Sequence, residues 1–308
     1  MKSLIVSSEG NGVKWGKTVI DFLLKKAFPE TEIKYEMSKD CDVIVLSHFT
    51  KYEALWNKEG KKYIYWSGES YKVSRHSKAT DSLDLLTTCQ TKKDVSETEP
   101  KELYIPYTLY SPYLYKERKY RNDINERPHL VAYCSSNRAS IRENLYNTFV
   151  DKVGEKADLC HALGRCHGKY KSTQKHLKGQ WADESLVDAY KDYKFVFALE
   201  NKQVDGYVTE KMLNAFYSGA IPIYWGSSNI NDLFNKKAFI NVSDYKNVEE
   251  CVDFIINMKP EELEKMQKEH IYNETNEIIH LMDEEFNAKN GNKTLDEYVN
   301  VVREFLLA

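Results

Sequence analysis

Thr209, Glu210 and Lys211 stand in a row inside GYVTEKMLNAFYSGAIPIYWG, positions 206 to 226, where an amphipathic helix is expected between two apolar strands. The preceding stretch FVFALENKQVD reads as a strand closed by Glu200 and Asn201, then a polar loop with Asp205-Gly206. A helix entered at or just before Val208-Thr209 presents free backbone N–H groups and the positive end of its dipole. Lys211 in the first turn runs against the preference for acidic residues at that end. A phosphate bound there removes the conflict, since it draws on the N–H groups and the ammonium together. The spacing equally allows Lys211 to pair with a neighbouring carboxylate on a solvated face. Val208, Met212, Ala215 and Phe216 form the apolar stripe of this helix, Gly219 reads as its C-cap and Pro222 as the entry to the next strand.

Two further stretches carry groups able to act at a strand end. In YCSSNRASIRENLY a strand ends at Ser135-Ser136-Asn137 and a helix starts near Ser140, with Ser140 and Glu143 at capping-box spacing. Arg138 and Arg142 can both reach the same edge, and the planar guanidinium of either suits a phosphate; the spacing does not decide between them and equally allows either to be a surface residue. In YIYWSGES an apolar strand delivers Gly68 and Glu69 to its carboxyl end, where a carboxylate can serve as general base toward a hydroxyl or simply face solvent.

The elements that must position these groups alternate. KSLIVSS, CDVIVLSHF and KKYIYWSG read as strands, with TVIDFLLKKAF and KYEALWNKE as helices between them. From Tyr110 to His129 the chain is charged and interrupted. The rhythm then resumes with strands HLVAYCSS, KFVFALE, AIPIYWG and AFINV and helices RENLYNTFVDKV, ESLVDAYKDY, GYVTEKMLNAFYSG and NVEECVDFIINM. This pattern predicts an α/β chain with two parallel sheets: a first domain over 1–128, a second over 129–285, and a final helix over 286–308 folded back through a stripe of Leu295, Val299, Val302 and Leu306. Two such domains facing each other across a cleft bind a nucleotide-type ligand at the carboxyl ends of their strands.

A length of 308 residues suffices for that core, and a net charge of −3 with mixed signs argues against a nucleic-acid groove or a polybasic membrane surface. The six cysteines are scattered without a CxxC pair and read as reduced, buried thiols; CHALGRCH, Cys160 to His167, lacks zinc-ribbon or finger spacing. No segment reaches the roughly 18 apolar residues of a transmembrane span, and MKSLIVSSEGNG is not a signal peptide. The sequons at Asn241, Asn273 and Asn292 then carry no weight unless an anchor has been removed. The glycines of SSEGNGVKWG match neither a dinucleotide fingerprint nor a P-loop, which disfavours an oxidoreductase, and no metalloprotease, nucleophile-elbow or Asp-x-Asp element adjoins the expected cleft.

Positions 193 to 245, YKFVFALENKQVDGYVTEKMLNAFYSGAIPIYWGSSNINDLFNKKAFINVSDY, resemble the signature region of the α-1,3/4-fucosyltransferases of glycosyltransferase family 10. The likeness extends more loosely through VAYCSSN and its following IR, LGRCHG and YWSGES, covering most of positions 60 to 256. It implies the GT-B architecture, with two Rossmann-like α/β domains, and an inverting transfer of L-fucose from GDP-fucose to a hydroxyl of an acceptor glycan, in α-1,3 linkage. It also implies roles: Lys211 and Arg142 neutralise the departing diphosphate, Asn201, Tyr207 and Glu210 hold phosphate and ribose, and Glu69 takes the acceptor proton. No cofactor is required on this reading, a divalent cation being at most stimulatory. The partners are the nucleotide sugar and the glycan, with no nucleic acid and no transmembrane segment. The chain as it stands is expected in the cytoplasm or otherwise soluble, and at the Golgi membrane only where an anchor has been removed. Lys202 departs from the family, standing where a small hydroxyl residue is usual. The competing readings are a transferase of the same lineage with another nucleotide sugar, and a non-catalytic nucleotide-sugar or glycan-binding module.

Overall fold

Runs of β-branched and aromatic residues such as Val43–Ser47 and Tyr193–Leu199 lie buried on both faces of their strands, as parallel strands covered by helices must be. The computed structural model describes residues 3–8, 13–36, 40–47, 60–70, 85–91, 101–171 and 184–307. The expected helix KYEALWNKE, Gly10 and Gly12 of the first loop, and most of SYKVSRHSKATDS lie outside the described residues.

The first sheet contains β1 (Ser3–Ser8), β2 (Glu32–Tyr35), β3 (Val43–Ser47), β4 (Lys62–Ser67), β5 (Leu85–Thr88) and β6 (Lys101–Tyr104), all parallel in the order β2-β1-β3-β4-β5-β6. Helix α1 (Val13–Ala27) buries Val19, Ile20, Leu23, Leu24 and Ala27, the recurrence of one helical face. The second sheet contains β7 (His129–Tyr133), β8 (Cys160–Ala162), β9 (Tyr193–Leu199), β10 (Ile221–Trp225) and β11 (Ile240–Asn241), parallel in the order β11-β10-β9-β7-β8. Helices α2 (Ser140–Val153), α3 (Glu184–Tyr190), α4 (Lys211–Tyr217), α5 (Ile230–Leu233), α6 (Val248–Ile256) and α7 (Pro260–Lys268) accompany it. After these come α8 (Glu284–Asn290) and α9 (Lys293–Leu307). The fold class is thus α/β with two parallel sheets, each in a doubly wound order.

The chain divides into one unit of residues 1–110 with 275–308 and a second of residues 111–274. The expectation placed the first division at 128/129 and the second at 285/286. The charged stretch after Tyr110 belongs with the second unit because its side chains are bonded there. Arg127, 3% exposed, donates to the Tyr193 carbonyl (2.9 Å), Asn122 Oδ1 (3.0 Å) and the Ser218 carbonyl (3.1 Å). Arg118 donates to the carbonyls of Phe216 (3.3 Å) and Glu269 (3.1 Å), and Lys119 pairs with Glu184 and Asp188 at 2.7 Å each.

Helix α9 returns to the first unit and packs against α1. Its buried face is Tyr298, Val302 and Phe305, rotated from the expected stripe of Leu295, Val299, Val302 and Leu306. The Tyr298 hydroxyl donates to the Tyr104 carbonyl (2.6 Å) and Arg303 Nε to the Ala27 carbonyl (3.3 Å), and these bonds set the rotation. All six cysteines are free thiols, five of them buried. Asn241 and Asn292 of the sequons are also buried, with their side chains hydrogen-bonded inside the chain.

Removing the Arg127 guanidinium strands buried carbonyls. Arg127→Ala is expected to lower the unfolding free energy by about 3 kcal/mol, whereas exposed Arg121→Ala leaves the transition in place. Urea titration of the two variants beside the parent checks this.

Candidate functional site

Chain order and spatial order part company in the second sheet between β7 and β9. From β7 the chain goes to β8 on one side, then crosses back to β9 on the other. In open α/β sheets this switch point, at the carboxyl ends of the strands, is where ligands bind. The groups picked out by the sequence for the second unit surround it.

Helix α2 begins after Ala139, which is extended and supplies no side-chain cap. The expected Ser140–Glu143 capping box does not form, because Glu143 is engaged elsewhere: it accepts from the Tyr133 hydroxyl (2.9 Å) and the Gly168 N–H (2.8 Å). Arg142, in the first turn, is 1% exposed. Its Nη1 donates to Ser135 Oγ and the Asn137 carbonyl, both at 3.0 Å, and its Nη2 to the Leu199 carbonyl at 2.5 Å. One guanidinium therefore ties the loop after β7 to the end of β9. Its Nε is buried without a hydrogen-bond acceptor, and among the described residues no carboxylate forms an ion pair with it. A buried cation with only neutral acceptors in contact costs free energy that a nearby anion would offset.

Helix α4 begins at Lys211, not at Val208-Thr209 as expected, and holds seven residues. The start is displaced because the carboxylate of Glu200, 0% exposed, takes the preceding backbone donor. Its Oε1 accepts the Thr209 N–H (2.8 Å), and the Thr209 hydroxyl lies 2.9 Å from both carboxylate oxygens. Lys211 Nζ donates to Glu200 Oε2 (3.1 Å) and to Thr209 Oγ1 (2.8 Å), with Glu210 Oε1 at 3.6 Å. Of the two readings of Lys211, the structure shows the carboxylate pair, with a buried partner instead of a solvated one. The Lys211 side chain stays 27% exposed, and an ammonium has three donors.

Burial presses the Lys211 ammonium down, yet the carboxylates of Glu200 and Glu210 outweigh it and hold its pKa above the ordinary 10.5. Gly226 makes room for this arrangement: a Cβ there would stand 2.6 Å from Glu200 Cγ and 2.5 Å from the Tyr224 hydroxyl. The Glu200 N–H is held by the Trp225 carbonyl at 2.8 Å, so the carboxylate rises from a fixed backbone. Val208, Met212, Ala215 and Phe216 are buried as expected, and Gly219 follows the helix at φ +77°.

The structure thus gathers Arg142, Glu210 and Lys211 around Glu200. Asn201 is exposed just beyond, and Tyr207 is buried next to Gly206, whose N–H donates to Ser227 Oγ and Asn229 Oδ1 at 2.8 Å each. Glu69 belongs to the other unit, half-buried after β4. Its carbonyl accepts from Gln90 Nε2 (2.7 Å) and Cys89 Sγ (3.5 Å), which sets the backbone from which its carboxylate leaves. Sequence reasoning put Glu200, Thr209 and Ser135 at these strand and helix ends but gave them no part in the site. The available signal for Glu200 was an acid closing an otherwise apolar strand two residues before a loop with no other buried charge. In CHALGRCH, Cys160 to Ala162 form β8, and His161 is engaged by the Tyr193 hydroxyl (2.7 Å) and the Asp158 carbonyl (3.1 Å). Among the described residues no group of His, Cys, Asp and Glu could hold a metal ion.

Loss of the buried carboxylate should be costly. Glu200→Ala is expected to destabilise the chain by about 3 kcal/mol, as breaking a buried pair does. The raised Lys211 pKa gives the parent a contribution present below 10.5 and lost as pH rises through the higher folded value. In the variant only Glu210 still raises the Lys211 pKa, so this alkaline step should shrink, which urea midpoints followed from neutral pH to beyond 10.5 would show.

The family model "Glycosyltransferase family 10 (fucosyltransferase) C-term" matches residues 124–290, over half of the chain. The chain is 52% identical over 63 residues to the Alpha-(1,3)-fucosyltransferase FucT of Helicobacter pylori, covering 20% of this chain and 13% of that protein. It is 26% identical over 185 residues to the Alpha-(1,4)-fucosyltransferase of Arabidopsis thaliana, covering 56% of this chain and 42% of that protein. These matches span less than half the length of either relative. A crystal structure of an alpha1,3-fucosyltransferase superposes with a TM-score of 0.69 over 100% of this chain and 91% of that one, at 19% identity, a likeness of fold. The fold is that of the GT-B glycosyltransferases, as expected from the sequence.

Proposed function

That the chain belongs to glycosyltransferase family 10 is the premise from which we propose an inverting fucosyltransferase, moving L-fucose from GDP-fucose to a hydroxyl of an acceptor glycan in α-1,3 linkage. The observation that carries the proposal is Arg142: a guanidinium buried at the switch point with no carboxylate in ion-pair contact among the described residues. A diphosphate supplies the missing negative charge. Glu69 accepts the proton of the acceptor hydroxyl as its oxygen bonds to the anomeric carbon, and the bond from that carbon to the diphosphate oxygen breaks with inversion. The leaving diphosphate gains negative charge, which Lys211 stabilises through its remaining donor and Arg142 from beneath.

Asn201, Tyr207 and Glu210 hold phosphate and ribose on this reading. Two protein cations can take the part that a metal ion plays elsewhere at a leaving diphosphate. The reaction then requires no cofactor, and a divalent cation is at most stimulatory. The partners are the nucleotide sugar and the glycan; among the described residues no helix is long and apolar enough to cross a membrane. Lys202, in place of a small hydroxyl residue, alters the surroundings of the phosphate contacts near Asn201 and Arg142, and the second reading is a transferase of the same lineage using a nucleotide sugar other than GDP-fucose.

GDP should raise the melting temperature while UDP and NAD do not, since a ligand selective for the folded state stabilises it; stabilisation by UDP alone would favour the second reading. Glu69→Gln is expected to lose about 100-fold or more in turnover, measured as GDP release with glycan acceptors, at unchanged GDP affinity. Turnover equal to the parent would remove Glu69 from its role. Lys211→Ala should weaken GDP binding about tenfold, and an unaltered dissociation constant would refute the phosphate contact.

A further inference from the structure

Three loops of the second unit meet at the carboxyl edge of its sheet on one anchor. Arg142 holds the loop after β7 through Ser135 Oγ and the Asn137 carbonyl, and the end of β9 through the Leu199 carbonyl. The loop after β8 is fixed to the same Ser135. The Cys166 N–H donates to the Ser135 carbonyl at 3.0 Å, and a Cβ on Gly164 would stand 2.4 Å from that oxygen, so the two backbones touch. Each loop carries a basic residue next to its anchored position: Arg138 follows Asn137, Arg165 lies between Gly164 and Cys166, and Lys202 comes three residues after Leu199.

All three are exposed, and their side chains make no hydrogen bond or ion pair among the described residues. The carboxylates of the same edge are otherwise engaged. Glu200 and Glu210 are buried beside Lys211, and half-buried Asp205 accepts from Ser228. A chain of net charge −3 thus presents, among the described residues, three exposed cations outside any ion pair on the loops of this edge. What sets these three apart from other exposed cations of the chain is their place, on loops tied to the Arg142 anchor at the switch point.

We propose that Arg138, Arg165 and Lys202 form a cationic rim that binds the phosphates of a nucleoside diphosphate arriving at the switch point. The inference rests on the functional reading above and adds residues to it. Arg142 is too deeply buried to meet a ligand first, and Lys211 already shares its charge with Glu200. The exposed rim supplies the unshared charge, in the fixed geometry that the Arg142 anchor imposes on all three loops. Field lines from such an edge concentrate anions before contact, and this effect falls with salt.

The test is the dissociation constant of GDP, UDP and inorganic pyrophosphate, measured by calorimetry for the parent and for Arg138→Gln/Arg165→Gln/Lys202→Gln over a range of sodium chloride. The triple variant should melt with the parent, because its changes are exposed and unpaired. Its affinity for the diphosphate that the parent binds should fall about tenfold at low salt, with each single change costing about two- to threefold. The curves should converge near 1 M salt, where the Debye length is about 3 Å. Guanosine, which has no phosphate, serves as control and should not distinguish the two proteins. Parent binding of UDP and not GDP, with the same loss in the variant, would keep the rim and refute the GDP-fucose reading. Equal affinity and salt dependence in parent and variant would overturn the rim while leaving that reading intact. A parent that binds none of the three diphosphates would overturn both.

Discussion

A single buried guanidinium organises the ligand edge of the second unit. Arg142 bonds to a side chain and a carbonyl after one strand and to the carbonyl ending its neighbour, across the gap where the sheet changes winding direction. Parallel strands diverging at such a gap leave carbonyl groups without sheet partners. A planar donor fork satisfies several of them at once. The cost is a desolvated charge, and that cost makes the neighbourhood receptive to an anion. Structural anchoring and ligand affinity are therefore aspects of the same placement.

The second device is a local balance of charge. Glu200 and Glu210 set two carboxylates beside the Lys211 ammonium, while the Arg142 guanidinium contacts only neutral acceptors. Glu200 occupies the donor position that a short helix would otherwise offer, and in doing so holds Lys211 in one place. A lysine fixed beforehand loses little freedom when a substrate meets it, which benefits a transition state in which charge builds on a leaving group. Gly226 and the Trp225 carbonyl provide the space and the backbone support for that carboxylate.

Much of the fold was legible because parallel strands buried on both faces leave uninterrupted apolar runs, as in Val43–Ser47 and Ile221–Trp225. Glu32–Tyr35 and Lys101–Tyr104, with half-exposed residues, and the short strands Leu85–Thr88 and Cys160–Ala162 gave no such run and were overlooked. The residues of the site were legible as types, but their partners were not. Lys211 could be seen to need an anion, while its pairing with Glu200 depends on a fold-back of the loop between them. The capping spacing of Ser140 and Glu143 was a true pattern overridden by tertiary structure, since Tyr133 and Gly168 claim the same carboxylate. Boundaries followed side-chain bonding instead of composition, as Arg127 shows.

The first unit is discontinuous, assembled from residues 1–110 and the returning segment 275–308. During synthesis from the amino end, its opening sheet emerges long before the helix that covers α1. The second unit, contiguous in the chain, can finish folding while the first still waits for its closing segment. For the whole of that interval the surface of α1 that packs against α9 lacks its cover, so premature termination after residue 274 would yield a folded second unit tethered to an incomplete and aggregation-prone first one.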